Sequence, residues 1–141
     1  MENHLNNSIK LRTVKKSDCL FLYELLKERD PKYNISHKKM PNYSQHEKFV
    51  LSKPYDKWYI ILKSSKEIGS IYLTKENEIG IFIKKNMQKK GIGFNVLKTL
   101  MEKNPRKRYL ANINPMNKKS IRFFKNNGFK LIQYTFELEI K

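Results

Sequence analysis

Cysteine, histidine, glycine and proline are all scarce in this sequence, and it has no long hydrophobic run. The single Cys19 cannot form an internal disulfide, and the three histidines, His4, His37 and His46, lack the spacing of metal ligands. The longest apolar runs have five residues, whereas a membrane-spanning helix needs ~20 and a signal peptide an apolar stretch of ~7–15. We therefore expect no bound metal, no contact with a membrane and a reducing, cytoplasmic setting.

The composition is that of a folded domain. The chain has 141 residues, of which 39% are hydrophobic and 12% aromatic, too many for a disordered polymer. A chain of this length buries most of its apolar surface around one core, and no linker or internal repeat divides it. Residues 1–141 are therefore predicted to form a single domain.

The charge is strongly one-sided, at +17 from 30 basic and 13 acidic residues. Such an excess suggests an anionic partner, and nucleic acid is the first candidate because Lys and Arg neutralise phosphates. However, 25 of the basic residues are Lys and only five are Arg, and Lys shares A/T-rich codons with the abundant Asn and Ile. Two interpretations stay open: a solvated basic surface that follows from codon usage, or a site for an anion.

Hydrophobic periodicity predicts a mixed α/β arrangement. Residues 9–14 alternate like a half-buried strand, and 19–29 have the broad apolar face of a helix that Ser17 or Asp18 caps and Pro31 ends.

A polar loop is predicted over 30–43, and a capping box of Ser44 and Glu47 then starts a helix over 44–51. Short polar connections indicate an antiparallel meander of three strands at 57–63, 68–74 and 78–83. The remaining elements are a helix at 91–103, a strand at 109–113, a helix at 117–127 that ends at Gly128, and a closing strand at 129–140.

The loop from Gln88 to Gly93 is the stretch most informative about chemistry. Gly91 and Gly93 let the main chain approach a ligand closely, and a helix N-terminus presents free N–H groups with about half a positive charge. Lys89 and Lys90 flank the same place. The loop is therefore predicted to bind a pyrophosphate; the alternative is a glycine-rich helix start with solvated lysines.

A second motif downstream has the pattern N-x-x-S-x-x-F-F-x-x-x-G-F, formed by Asn117, Ser120, Phe123, Phe124, Gly128 and Phe129. Together with the Q-x-x-G-x-G loop, this helix resembles the acetyl-coenzyme A signature of the GNAT superfamily of N-acetyltransferases, and the element order is similar over nearly the whole chain. The resemblance implies a mixed α/β fold with a central, mostly antiparallel sheet of six or seven strands and about four flanking helices. It also implies a splay between the strands at 78–83 and 109–113.

The same resemblance implies where acetyl-CoA binds. The main chain at Phe82 and Ile83 would pair with the pantetheine arm, and the amides of 88–93, including that of Ile92, would hold the pyrophosphate. Further coenzyme contacts are implied for Asn114, Asn117, Ser120, Phe124 and Lys125.

One position departs from the family pattern. Family members often have a Tyr four residues before the Gly of the helix end, which donates a proton to the leaving thiolate, and this chain has Phe124 there. Phe has no proton to donate. The acid is then water, a nearby Tyr such as Tyr72 or Tyr134, or absent, and a non-catalytic protein on the same scaffold stays an alternative.

Two residues are candidates for the base that deprotonates the amine. Glu78 stands at the start of the splayed strand, where many family members hold an acid that acts through water; its alternative is an ordinary strand-end charge. His46 lies in a segment that resembles the E-E-H-x-x-[FW] helix of acetyltransferases acting on amino-sugar nucleotides; its alternative is an exposed helix residue. Acceptor contacts are expected at Arg29, Asn34, His37 and Tyr72.

We therefore expect an N-acetyltransferase that moves the acetyl group of acetyl-CoA to a primary amine by direct attack in a ternary complex. A small, anionic acceptor such as an amino-sugar nucleotide is favoured because a basic surface suits a pyrophosphate and repels polyamines. Alternatives are a protein amine or, from another class, a nucleic-acid-binding module, although nucleic acid is not the favoured partner. A homodimer through residues 129–141 is a further expectation.

Overall fold

Four strands form one antiparallel sheet in the computed structural model, which describes residues 9–33, 39–88 and 91–141. The strands are β1 (Ile9–Thr13), β2 (Lys57–Lys63), β3 (Lys66–Leu73) and β4 (Ile79–Ile83). They hydrogen bond in the order β1-β2-β3-β4, because two-residue and five-residue connections join β2 to β3 and β3 to β4. The predicted meander is confirmed.

Four helices flank this sheet: α1 (Cys19–Lys27), α2 (Tyr43–Leu51), α3 (Ile92–Lys103) and α4 (Lys118–Asn126). Single 3-10 turns lie at Lys16–Asp18, Pro31–Tyr33 and Lys85–Met87. No helix in the described part of the chain combines the length and the apolar character needed to cross a membrane. The predicted helices are found to within two residues at each end, and the mixed α/β class is confirmed.

The sheet carries a hydrophobic core on each face. One core lies against α3 and includes Tyr59, Ile61, Ile71, Leu73, Val96, Leu97 and Leu100. The other lies against α1 and α2 and contains Cys19, Leu22, Val50 and Ile60. Because successive side chains of a strand point to opposite faces, β2 supplies both cores.

The number of strands differs from the expected six or seven. Residues 109–113 do not form a strand; they contribute one isolated parallel bridge, between Leu110 and Glu78. Past that bridge Asn112 binds the Glu78 carboxylate with its side chain, so the two main chains separate instead of continuing a ladder. A short β-rich run predicts an extended chain but not how many bonds it makes.

Residues 129–140 also do not form the predicted strand. They form no ladder with any described part of the chain. Alternation of apolar residues indicates a surface suited to burial, but a strand also needs an available sheet edge. Six large apolar side chains are consequently exposed, those of Leu131, Ile132, Tyr134, Phe136, Leu138 and Ile140.

Two predicted helix caps do not form. The capping box of α2 is formed by Asn42 and Gln45, whose side chains each accept a main-chain N–H of the other, at 2.8 and 2.9 Å, instead of by Ser44 and Glu47. Both pairs have the required three-residue spacing, and the pair that directly follows Pro41 is used. Similarly, Asp18 does not cap α1.

The carboxylate of Asp18 instead accepts two hydrogen bonds from the Arg12 guanidinium, both at 3.0 Å, and one from the N–H of Lys15 at 2.7 Å. Although burial raises the pKa of this carboxyl, the bonds from Arg12 and Lys15 outweigh it and lower the pKa. Asp18 therefore ties β1 to the start of α1.

The end of α4 follows the prediction. Gly128 has a left-handed φ of +91°, which glycine adopts without strain. Its N–H donates to Lys125 O at 3.1 Å, and the N–H of Phe129 donates to Phe124 O at 3.0 Å. This pair of bonds is the Schellman cap, and it fixes Phe129 against Phe124, with ring centroids 5.0 Å apart.

Candidate active site

A cleft opens where β4 separates from the segment 109–113. At its closed end the N–H of Ile79 donates to Leu110 O, and the N–H of Leu110 donates to Asn77 O, both at 2.8 Å. Beyond this bridge the chains diverge around a cavity of about 90 Å³, which is the predicted splay. The cavity is lined by Arg29, Tyr72, Glu78, Ile79, Gly80, Ile81, Phe82, Asn112, Ile113, Asn114, Asn117, Ser120 and Phe124.

Main-chain groups of β4 alternate between β3 and the cleft. Phe82 lies opposite Ser70 of β3, and the N–H of Lys84 donates to a β3 carbonyl at 2.8 Å, so the even-numbered residues direct their main chain toward β3. The main-chain groups of Ile81 and Ile83 face the cleft. This corrects the prediction for Phe82, because its main chain is used in the sheet and only its ring lines the cavity.

Glu78 has its carboxylate at the closed end of the cleft. One oxygen accepts a hydrogen bond from Thr74 Oγ1 at 3.2 Å and the other accepts from Asn112 Nδ2 at 2.9 Å. The side chain is half-buried and lines the cavity. An ionised carboxylate has about four lone-pair sites, so two bonds fix its orientation and leave capacity for a proton.

Arg29 lies at the end of α1 and reaches the same cleft. Its guanidinium sits 4.4 Å from the centroid of the Phe82 ring, a cation–π contact. Burial lowers the pKa of Arg29, and with the described residues the side chain forms no ion pair or hydrogen bond. A half-buried cation without a carboxylate partner is costly, which marks this end of the cleft as suited to an anion.

Tyr72 is held in the cleft by two neighbours. Its ring stacks on Tyr55 with a centroid distance of 3.7 Å and an interplanar angle of 3°. Tyr72 is in β3 and lies opposite Gly80 of β4. A Cβ at Gly80 would overlap the hydroxyl end of the Tyr72 ring. The missing side chain at Gly80 therefore lets Tyr72 lie across β4. Burial raises the pKa of both tyrosines.

The predicted pyrophosphate loop contains the start of α3. Gly91 precedes the helix with a left-handed φ of +74°, and open space surrounds the position of its missing side chain. The amides of Ile92, Gly93 and Phe94 have no partner in the described residues, since the first bond of the helix runs from Asn95 to Gly91. Three unpaired N–H groups at a helix N-terminus fit a phosphate group.

The other residues of that loop connect elements. The Gln88 amide donates to Ile83 O and accepts from Lys119 Nζ, both at 2.8 Å, so it joins β4 to α4. A Cβ at Gly93 would come within 2.9 Å of the Phe123 ring. Gly93 therefore serves the packing of α4 on α3, in addition to any approach of a ligand.

Four predicted coenzyme residues on and before α4 line the cleft, namely Asn114, Asn117, Ser120 and Phe124. Asn117 also caps the helix, because its Oδ1 accepts the N–H of Ser120 at 3.2 Å. Lys125 is exposed and is not among the lining residues.

His46 is not among the lining residues either. It is 6% exposed, so the interpretation as an exposed helix residue is wrong, and its ring packs 5.4 Å from that of Tyr23. Burial lowers its pKa. The structure thus does not bring the two predicted bases together. Outside the described residues lie the predictions for Asn34, His37, Lys89 and Lys90.

Three residues that hold the site were missed by the sequence analysis. Asn112 had a weak signal, because it alternates with Asn114 and so lies on the same side of an extended chain. Thr74 and Tyr55 had none, since each gains its role from a contact made by folding. Among residues 9–33, 39–88 and 91–141, no three His, Cys, Asp or Glu side chains group as metal ligands.

Comparison with known proteins identifies the class. The family model described as "Acetyltransferase (GNAT) domain" matches residues 8–130. The chain therefore belongs to the GNAT acetyltransferase family and is an acetyl-CoA-dependent acyltransferase. No curated protein matches the sequence.

Solved structures share the fold at low sequence identity. A domain from Methanocaldococcus jannaschii DSM 2661 has a TM-score of 0.75 with 23% identity over 92% of each chain. A ribosomal L7/L12 alpha-N-protein acetyltransferase in complex with coenzyme A has a TM-score of 0.73 with 18% identity, over 92% of this chain and 84% of that one. A dodecameric spermidine N-acetyltransferase from Vibrio cholerae has a TM-score of 0.67 with 16% identity, over 88% and 80%.

Proposed function

We propose that the enzyme acetylates a primary amine by direct attack in a ternary complex, with Glu78 as the base. The observation that carries this proposal is the orientation of the Glu78 carboxylate into the cleft by Thr74 and Asn112. Acetyl-CoA supplies the activated acetyl group as a thioester. Glu78 accepts the proton of the substrate ammonium directly or through one water, which leaves the amine as a nucleophile.

Several groups of the cleft match the parts of the coenzyme. The cleft-facing main chain of Ile81 and the N–H of Ile83 suit the amides of the pantetheine arm, whereas Ile83 O already accepts from Gln88, and the N–H of Ile81 is a donor for the oxyanion. The free amides at the start of α3 and the ammonium of Lys119 suit the pyrophosphate. Asn117 and Ser120 line the inner part of the cleft, suited to the thioester end. For Lys89, Lys90 and Lys125, pyrophosphate contacts remain predictions.

The acceptor is proposed to be small and anionic, with an amino-sugar nucleotide as the favoured class. Arg29 supports this choice, because its half-buried guanidinium lines the cleft without an ion pair to any described residue. A phosphate or carboxylate of the acceptor would provide the partner that folding does not. The positive charge of Arg29 would repel a polycationic amine. Asn34 and His37 remain predicted acceptor contacts.

Coenzyme binding is tested first, by calorimetric titration of acetyl-CoA into the wild type and two glycine variants. Gly91→Val fills the open space at the start of α3, and we expect acetyl-CoA binding to weaken at least tenfold. Gly128→Val is the matched control, because Gly128 also has a positive φ and open surroundings but lies at the end of α4. Equal affinities of the two variants would contradict the assignment of the loop.

The acceptor is then identified by thiol release with panels of amino-sugar nucleotides, uncharged amino sugars, polyamines and protein N-termini. The proposal expects turnover with the first panel and, in Arg29→Gln, an increase in KM confined to anionic acceptors. Turnover confined to protein N-termini would show that the proposed acceptor class is wrong, while the acetyltransferase activity would stand. Salt-dependent binding of DNA or RNA without turnover would favour the binding module.

We further propose a homodimer in a reducing, cytoplasmic compartment. The exposed apolar side chains of residues 129–141 favour burial by a second copy, and Cys19 is a buried free thiol. Sedimentation velocity tests the dimer: Phe136→Lys should lower its proportion, whereas Lys130→Glu on the same segment should not. A wild type that stays monomeric at high micromolar concentration would refute it.

A further inference from the structure

No tyrosine of α4 lines the cleft to protonate the thiolate that acetyl transfer releases. At position 124 the lining side chain is a phenyl ring, 6% exposed and packed on Phe123 and Phe129. Resting on the proposed function, we propose that the hydroxyl of Tyr72, on β3, donates the proton to the sulfur of coenzyme A. The acid of the reaction then comes from the sheet instead of from the helix.

The position of Tyr72 supports this role. Of the described residues that line the cleft it is the one tyrosine, and it shares that lining with Glu78 and Phe124. Its ring reaches there because Gly80, opposite it on β4, has no side chain to block the hydroxyl end. The other candidate from the sequence, Tyr134, is 76% exposed on the C-terminal segment and does not line the cavity. The structure therefore separates two tyrosines that the sequence left equal.

The surroundings of Tyr72 suit a donor that must lose its proton and recover it. Parallel stacking on Tyr55 restricts the ring to one plane. Burial raises the pKa of Tyr72, the Arg29 cation and the Tyr55 hydroxyl act in the opposite direction, and the Glu78 carboxylate adds a smaller upward contribution. The hydroxyl is thus protonated at neutral pH, while a neighbouring cation and a neighbouring donor stabilise the phenolate formed in the transfer.

The transfer balances without any further reactant. The amine nitrogen forms its bond to the acetyl carbon, the C–S bond breaks with its electron pair on sulfur, and the Tyr72 proton moves to that sulfur. The amine loses two protons, one before attack through Glu78 and one as the amide forms. One of these returns to the Tyr72 oxygen through water, and the other leaves as the net proton of the reaction.

The first test compares Tyr72→Phe with Tyr134→Phe. With the acceptor identified above, we expect Tyr72→Phe to lower kcat by about 10²-fold, at the low end of general acid effects because a thiolate is a tolerable leaving group. The alkaline decline of the wild-type kcat, which reports loss of the acid, should disappear. Tyr134→Phe should equal the wild type. The double variant Tyr72→Phe/Phe124→Tyr has a hydroxyl on α4 instead, and its kcat should be at least tenfold higher than that of Tyr72→Phe.

The second test measures binding alone. At about pH 9, where free thiols ionise, a Tyr72 hydroxyl at the sulfur should make the wild type bind coenzyme A about tenfold more tightly than desulfo-coenzyme A, as a hydrogen bond to a charged group would. Tyr72→Phe should lose this preference and Tyr134→Phe should keep it. Thermal melting verifies that each variant is folded.

The outcomes separate the two proposals. Normal kcat, an unchanged alkaline limb and an unchanged preference for coenzyme A in Tyr72→Phe would overturn the role of Tyr72 and leave the acetyltransferase intact. A wild type that binds no coenzyme would overturn the proposed function, and the role of Tyr72 with it.

Discussion

Consecutive residues of β3 and β4 have different roles: one side chain packs in the core, and the next faces the cleft. Ile71, Ile79 and Ile81 point to the face that packs on α3 and belong to or contact its core. Tyr72 and Phe82 point to the other face, near Arg29. A two-residue period thus separates side chains that pack in the core from side chains on the face that carries Tyr72 and Glu78. The difference teaches that stability and chemistry can be altered one residue apart.

Glu78→Gln gives the largest expected effect on the functional face. We expect kcat/KM to fall on the order of 10²–10³-fold, or about 3–4 kcal/mol of transition-state stabilisation, because the amide cannot take the ammonium proton. Thermal stability should change little, since an amide still accepts from Thr74 or Asn112. Glu76→Gln, in the exposed turn two residues earlier, is the control. Equal activity of the two variants would remove Glu78 from the mechanism.

Ile71→Ala reverses this pattern on the core face. Ile71 is fully buried, and truncation should lower the free energy of unfolding by about 2–4 kcal/mol, measured by urea denaturation. At a temperature where the variant is folded, kcat should match that of the wild type. A parallel loss of kcat would show that the core face and the cleft face of the sheet are coupled, and that stability and activity cannot be altered separately.

Gly80→Ala should affect both the stability and the kcat through one added methyl group. The added Cβ would overlap the Tyr72 ring, so we expect a loss of about 1–3 kcal/mol in stability from overpacking and a fall in kcat because Tyr72 is displaced. Combining it with Tyr72→Ala removes the overlap, and the double variant should recover stability relative to additivity. Strictly additive losses would mean that Gly80 and Tyr72 do not interact.

His46→Phe has the smallest expected effect and concerns pH. Burial lowers the pKa of His46 below its unfolded value of about 6.5, so the unfolded chain binds the proton more readily. Wild-type stability should therefore fall as the pH drops below about 6.5, by at most about 1.4 kcal/mol per pH unit from this group. The variant should lose less between pH 7 and 5 in urea denaturation. Parallel curves would show that His46 titrates normally.

The sequence predicted the elements better than their partners. Local signals were sufficient for α4, because Asn117 and Gly128 cap it with bonds to near neighbours. They were insufficient for 129–140, where alternation describes the segment but not an edge to pair with. The glycine motif was recognised, yet Gly93 also packs against Phe123, a contact that only the relation of two helices creates.

The site was predictable to the same extent. Glu78, Asn117 and Ser120 were found from motif and position, and all three line the cleft. Tyr55 could not be found, because it lies in a loop and its role comes from stacking on Tyr72 of β3. His46 was assigned to the site from its helix, but the side chain faces α1, which periodicity in a nine-residue helix does not specify.

The bridge at Leu110 is the fixed end of the cleft. The two chains that form its walls are joined by main-chain bonds at one end only, and Arg106 strengthens that end by donating to Asn77 and Asp56, both at 2.8 Å. Widening the open end breaks no sheet hydrogen bond, but it works against the Gln88 side chain, which joins Ile83 of β4 to Lys119 of α4. Main-chain bonds therefore keep the two walls in register at one end, while side-chain contacts hold the other.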